Sequence, residues 1–329
     1  MSDPARREQW CRVLESALGG GRVAAGAPLA PLTTFRVGGP ADLLVEPRSG
    51  EELVRALDTA AQAGIPVTIL GGGSNVLIAD AGVRGLVVRP RGGSIVQEHG
   101  SFVRADSAVT INALVRWTVG RGLAGLEAWA GTPGTVGGGV YGNAHWAGRL
   151  LSELLDSVRL WSAGRGVTDV PAADMAFGYD RSRLQHTGEV LVSACFVVTP
   201  GEPAVLRAIA RQSLAYRKRT QPLHAPSAGC VFQNPLPEES VPQDVPRSAG
   251  ALVDRAGLKG FRIGGAQVSP THGNFIVNDG SATARDIRTL IEHCRRNVAE
   301  RFGVDLRDEI VYVGEFATEE EGAGVHTSD

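Results

Sequence analysis

The stretch IPVTILGGGSN, residues 65–75, sets the frame for everything around it. Its first half, IPVTIL, is apolar and reads as a buried strand. Its second half, Gly71, Gly72, Gly73, Ser74 and Asn75, strips side chains from the strand's end. What remains is a row of backbone N–H groups, an arrangement that binds anions and most often phosphate. No Gly-Lys-Ser/Thr follows, so this is not a Walker A loop. Upstream, residues 50–63 carry Leu53, Ala56, Leu57 and Ala60 at helical spacing, and Ala41–Val45 reads as a strand. Downstream, GLVVRP at 85–90 reads as a further strand. The first unit is therefore β-α-β with a glycine-rich turn at a strand end.

A second glycine cluster, GTPGTVGGG at 131–139, repeats the theme. Thr132, Pro133, Gly134, Thr135, Gly137 and Gly138 combine hydroxyl donors with bare backbone. Two such cradles suggest a diphosphate held between two subdomains. By contrast, GGGRVA at 19–24 follows a helix rather than a strand, which excludes a dinucleotide fingerprint there.

Composition narrows the classes. The chain has 329 residues, a net charge of −2 and no run of about 18 apolar residues, so it predicts neither a nucleic-acid footprint nor a membrane span. The charged N-terminus lacks the apolar core of a signal peptide, and the expectation is a cytoplasmic protein, taken as a monomer. Cys11, Cys195, Cys230 and Cys294 are widely spaced and the seven histidines are scattered, so no disulfide framework and no metal site are expected. Only two of the 33 basic residues are lysine, Lys218 and Lys259, so roles that lysine could fill fall to Arg or Gln.

Strands are expected within 93–109, at 158–163, 189–199 and 309–314. Helices are expected at 4–18, 110–121, 203–217 and 283–302. The units are residues 1–30 as lead-in, 31–88, 89–200, and a third α+β unit at 201–315, with a disordered tail at 316–329. Two polar constellations stand out, FGYDRSRL at 177–184 and SAGCVFQNP at 227–235. Cys230 in the latter is either a small hydrophobe opening a short strand or a thiol placed at a bend to exchange a proton; the residues alone leave both open. Arg217 and Lys218 read either as diphosphate ligands or as a solvated helix end.

The motifs TTFRVGGPA, ILGGGSNVLI, AGTPGTVGGGVYGNA, FGYDRS, SAGCVFQNP, AGLKGFRIGGAQVS, HGNFIVN and LRDEI, in this order from about residue 32 to 312, resemble the UDP-N-acetylenolpyruvoylglucosamine reductase family of flavoenzymes. The resemblance implies a two-subdomain FAD-binding fold of the vanillyl-alcohol-oxidase/PCMH type, followed by a C-terminal substrate domain particular to that family. It implies noncovalent FAD, NADPH as co-substrate, and UDP-N-acetylglucosamine enolpyruvate reduced to UDP-N-acetylmuramate for peptidoglycan. FAD would lie on residues 71–75, on Thr132–Thr135, Gly137 and Gly138, and on Asn143. Cys230 would protonate the intermediate, and Glu309 would stabilise it. Tyr179, Ser182, Gln221, Gln233 and Asn234 would contact substrate.

Two positions depart from the family pattern. The family has Tyr-Arg-x-Ser where this chain has Tyr179-Asp180-Arg181-Ser182, and Arg181 is the expected replacement cation. Larger residues, His145 and Trp146, stand where small ones are usual. The alternatives are another FAD-dependent oxidase or dehydrogenase of the same fold, or an inactive flavin-binding homologue.

Overall fold

In the computed structural model, which describes residues 4–316, the expected β-α-β unit forms a four-stranded sheet. Its order is Val23–Pro28, Pro40–Val45, Val83–Val88, Val67–Ile69, the last three parallel and the first antiparallel to its neighbour. The helix Gly50–Gln62 starts where the Ser49 hydroxyl accepts the Glu52 N–H, and it buries Leu53, Ala56, Leu57 and Ala60. Those side chains pack on Leu43, Val45, Leu86 and Val88, with Leu14 of the helix Pro4–Leu18 completing the cluster. One expectation changes: Val67–Ile69 is an edge strand, with Val67 and Ile69 exposed, because it pairs on one side only. Residues 1–30 are likewise not a mere lead-in, since Val23–Pro28 is the sheet's other edge.

The second unit is a five-stranded antiparallel sheet in the order Gly166–Pro171, Leu155–Ser162, Val190–Val197, Phe102–Asp106, Ile95–Gln97. The helix Ile111–Gly120, capped by Thr110, buries Ile111, Leu114, Val115 and Val119 in its core. The helix Pro203–Thr220 belongs here too. Leu206 sits in this core and the Ser213 hydroxyl donates to the Ala128 and Ala130 carbonyls, so the expected boundary at 201 falls one helix too early.

The third unit holds a three-stranded sheet, Arg262–Ile263, Ala266–Val268 and Ile276–Asn278, covered by the helices Ala249–Arg255 and Ala284–Phe302. It is welded to the first unit. Phe35, Val37 and Leu77 share its core with Ile287, Leu290 and Ile291. Both oxygens of Asp80 accept N–H groups from the start of the helix Ala284–Phe302, at 2.8 and 3.0 Å. Most consequentially, the last strand, Val311–Val313, runs back to pair in parallel with Val76–Ile78. That return brings Glu309 to the end of the GGGSN loop. The expected tail lies, apart from Phe316, outside the described residues.

Candidate active site

The two glycine clusters meet face to face. A Cβ on Gly72 would lie 2.7 Å from the Gly134 Cα, and one on Gly134 would lie 2.8 Å from the Ser74 Oγ. A Cβ on Gly73, whose φ is 65°, would lie 2.2 Å from the Leu32 carbonyl oxygen. Only glycine allows this approach. Among the described residues, the backbone N–H groups of residues 71–75 have no protein acceptor. A bare backbone row with unspent donors fits a diphosphate. The cradle is narrower than expected on its second side. Thr135 caps the helix Val136–Tyr141 through Gly138 N–H, and Gly137 N–H is taken by the Ser107 carbonyl at 2.8 Å. Thr132 accepts from Arg217 Nη2 at 2.7 Å. Asn143 is fully buried, donating to the Gly178 carbonyl and accepting from Ser152 N–H, so its amide braces the fold instead of facing a ligand.

Next to the cradle, two segments carry the proposed acids. The Asn75 amide donates to the Glu309 carbonyl at 2.9 Å, and Glu309 N–H donates to the Val231 carbonyl at 2.8 Å. Phe232 pairs with Asp308, so the Cys230 and Glu309 segments are antiparallel neighbours. Asn274 locks this pairing: its amide accepts Phe232 N–H and donates to the Phe232 carbonyl, at 2.9 and 2.7 Å. Both acids are partly exposed. Burial, with Glu309 and Asp180 adding to it, pushes the Cys230 thiol well above its ordinary range despite the opposing pull of Arg217. Burial and the charge of Asp180 push Glu309 up to about 8, with His145 acting against them. Both groups therefore hold their protons at neutral pH.

The turn 178–181 supplies the third wall. Gly178 and Arg181 exchange backbone hydrogen bonds, leaving Tyr179 and Asp180 at the apex, with Asp180 in the left-handed region at φ 52°. Asp180 points inward, toward Glu309 and His145, and its Oδ1 lies 2.9 Å from His145 Nδ1. Arg181 does not: its side chain is exposed, folds back over Gly178, and makes no side-chain hydrogen bond or ion pair among the described residues. Asp180 at the apex and Arg181 at the foot of so tight a turn leave on opposite sides, and Asp180 takes the inner one. The expectation that Arg181 is the site's cation is thus corrected. Ser182 is also turned inward, its buried hydroxyl donating to the Tyr141 carbonyl at 2.7 Å.

Of the expected substrate residues, Tyr179 and Asn234 lie together, the Asn234 amide nitrogen 3.4 Å from the phenol oxygen. Burial pushes the Tyr179 hydroxyl up to about 12. Gln233 instead accepts from Arg307 at 3.4 Å, and Gln221 ends the helix Pro203–Thr220 with no hydrogen bond from its side chain among the described residues. The buried cation is Arg217. It is 5% exposed, stacks 3.5 Å from the centre of the Trp146 ring, and forms no ion pair among the described residues. Its Nε is buried without a partner, and burial lowers the guanidinium to about 10, which still leaves it charged at neutral pH. A buried cation without a counter-charge calls for an anion from the ligand.

This fold and site define a flavoprotein oxidoreductase: a two-subdomain FAD cradle closed by a third domain that brings two protonated acids to its rim. Residues 41–168 match the FAD binding domain family, and residues 221–313 match the UDP-N-acetylenolpyruvoylglucosamine reductase C-terminal domain. The UDP-N-acetylenolpyruvoylglucosamine reductase of Synechococcus sp. (strain JA-3-3Ab) is 43% identical over 299 residues, covering 90% of this chain and 93% of its own. That of Anaeromyxobacter sp. (strain Fw109-5) is 42% identical over 302 residues, 91% of each chain. The crystal structure of the Thermus caldophilus enzyme superposes with a TM-score of 0.73 at 32% identity, covering 88% of this chain and 98% of that one. The chain belongs to the UDP-N-acetylenolpyruvoylglucosamine reductase family.

Proposed function

We propose that the protein reduces UDP-N-acetylenolpyruvoylglucosamine to UDP-N-acetylmuramate, with FAD held between the two glycine cradles and NADPH as the source of hydride. The observation that carries this reading is that the Cys230 and Glu309 segments lie side by side, with Glu309 tied to Asn75 of the GGGSN loop. When bound, FAD accepts hydride from NADPH and passes it to the terminal carbon of the enolpyruvyl double bond.

The chain's own residues do the rest. As hydride adds to the terminal carbon, the π electrons move to the carbon beside the carboxylate. Cys230 gives its S–H proton to that carbon, and the thiolate left behind recovers a proton from solvent through the open cleft. Glu309, as a neutral acid, donates a hydrogen bond to the carboxylate while negative charge builds on it. Arg217 pairs with an anionic oxygen of the substrate, and Asn234 and Tyr179 orient the sugar-nucleotide. NADPH over NADH, a cytoplasmic location and a monomeric state belong to this proposal, with the family as their support.

The test is substrate-dependent oxidation of NADPH with UDP-N-acetylmuramate identified by mass. The proposal expects both together. NADPH oxidation that needs oxygen but not the enolpyruvyl ether would mark an oxidase and refute it.

A further inference from the structure

The two departures from the family motifs meet in space. His145, from the segment 143–148, and Asp180, from the turn 178–181, are 35 positions apart, yet His145 Nδ1 lies 2.9 Å from Asp180 Oδ1. Ligand-capable atoms of His145, Asp180 and Glu309 all fall within 4.8 Å of one another. The Asp180 side chain is 9% exposed, and its second oxygen is buried with no partner. A carboxylate so placed needs a cation. Arg181 faces solvent and Arg217 is engaged with Thr132 and Trp146, so the imidazole is the ion-pair partner that Asp180 has.

We propose that His145, held as an imidazolium by Asp180, is a catalytic residue of this reductase, the positive charge that faces Glu309 and the substrate carboxylate where Arg181 cannot. This inference rests on the reductase reading.

Hydrogen-bond accounting agrees with it. The Asn234 Oδ1 accepts Ala249 N–H at 3.0 Å, which aims its amide N–H₂ at the Tyr179 oxygen. His145 Nε2 lies 3.4 Å from that same oxygen. A doubly protonated ring serves Asp180 through Nδ1–H and Tyr179 through Nε2–H. The phenol oxygen then accepts twice, and its own O–H is free to donate into the cleft. Charge accounting agrees as well. Imidazolium and Asp180 cancel, Glu309 is neutral, and an anionic oxygen of the substrate offsets Arg217. The titratable groups facing His145 are Asp180, Glu309 and Arg217, and of these Asp180 and Arg217 carry charge. Burial disfavours the imidazolium, but the hydrogen bond and charge of Asp180 outweigh burial and Arg217 and raise its pKa above the ordinary value.

The test uses the FAD-loaded protein with His145→Gln, His145→Ala and Asp180→Asn, each followed anaerobically through reduction by NADPH and reoxidation by the enolpyruvyl ether. His145→Gln is expected to slow reoxidation about 100-fold, with flavin content retained and reduction by NADPH much less affected. Imidazole should rescue His145→Ala in proportion to the imidazolium present. By ring NMR, the histidine missing in His145→Gln should titrate above the ordinary histidine value, and in Asp180→Asn it should fall back. A His145→Gln protein that reoxidises at the wild-type rate, or that slows both half-reactions alike, would overturn the proposal. So would a wild-type His145 that titrates at or below the ordinary value, or activity lost to a chelator and restored by a divalent cation, which would assign the three side chains to a metal. Wild-type protein reduced by NADPH but not reoxidised by the enolpyruvyl ether, with His145 still titrating high, would instead bring down the reductase reading.

Discussion

The cradle and the acid cleft adjoin each other but are built on opposite principles. The cradle is backbone meeting backbone, and its chemistry is the absence of side chains at Gly72, Gly73 and Gly134. The cleft is side chains from four distant segments, 143–148, 178–181, 227–235 and 306–310, converging on one volume. The first tolerates no added atom; the second depends on the proton and the charge that each side chain carries. Substitutions in the cradle should therefore remove the flavin, whereas those in the cleft should spare the flavin and remove the second half-reaction.

Gly73→Ala should be the severest lesion, because its Cβ would collide with the Leu32 carbonyl at 2.2 Å in a left-handed backbone. The purified variant should be colourless and should not take up FAD; a yellow variant would break the comparison at once. Cys230→Ala comes next. It should slow reoxidation by the enolpyruvyl ether about 10²–10⁴-fold and leave reduction by NADPH nearly intact. Equal loss in both half-reactions would make the cysteine structural.

Glu309→Gln should cost less, about tenfold, because the amide still donates a hydrogen bond. Its signature is in the pH profile. With Glu309 pushed up to about 8, reoxidation in the wild type should hold level below that value and fall above it, and the variant should lose this limb. Stability carries the same sign. A carboxyl whose pKa is raised by folding binds a proton in the native state that the unfolded chain has released. Glu309 thus makes stability decline as pH rises from its ordinary value, 4.5, to about 8. Urea melts of Glu309→Gln across this window should show a shallower decline; an unchanged slope would contradict the assignment. The smallest effect should be Arg181→Ala, which should cost far less in reoxidation than Asp180→Asn. The reverse order would return the cation's role to Arg181.

The same contrast explains what could be read from the chain alone. The cradle was legible because glycine clusters at strand ends are local signals, and the Cys230 and Glu309 segments because each is a contiguous motif. The His145–Asp180 pair has no local signal. It depends on a turn that puts Asp180 at φ 52° and on a contact across 35 positions. The clue available was that both departures, one toward a base and one toward an acid, occur in the same chain. Arg181 misled because one residue of displacement beside a tight turn swaps the inner face for the outer. Arg217 was ambiguous because a helix end gives no sign of which side is covered. Trp146, whose ring lies over the guanidinium, is the residue that covers it.

The most direct test of the central claim is a single turnover. The FAD-loaded protein is reduced with one equivalent of NADPH without oxygen, then mixed with UDP-N-acetylenolpyruvoylglucosamine, in wild type and in Cys230→Ala. The account predicts rapid return of the oxidised flavin spectrum with UDP-N-acetylmuramate formed in the wild type, and reoxidation slowed at least about 100-fold in the variant. Reoxidation at equal rates in the two proteins would contradict it, for the proton would then come from somewhere other than Cys230.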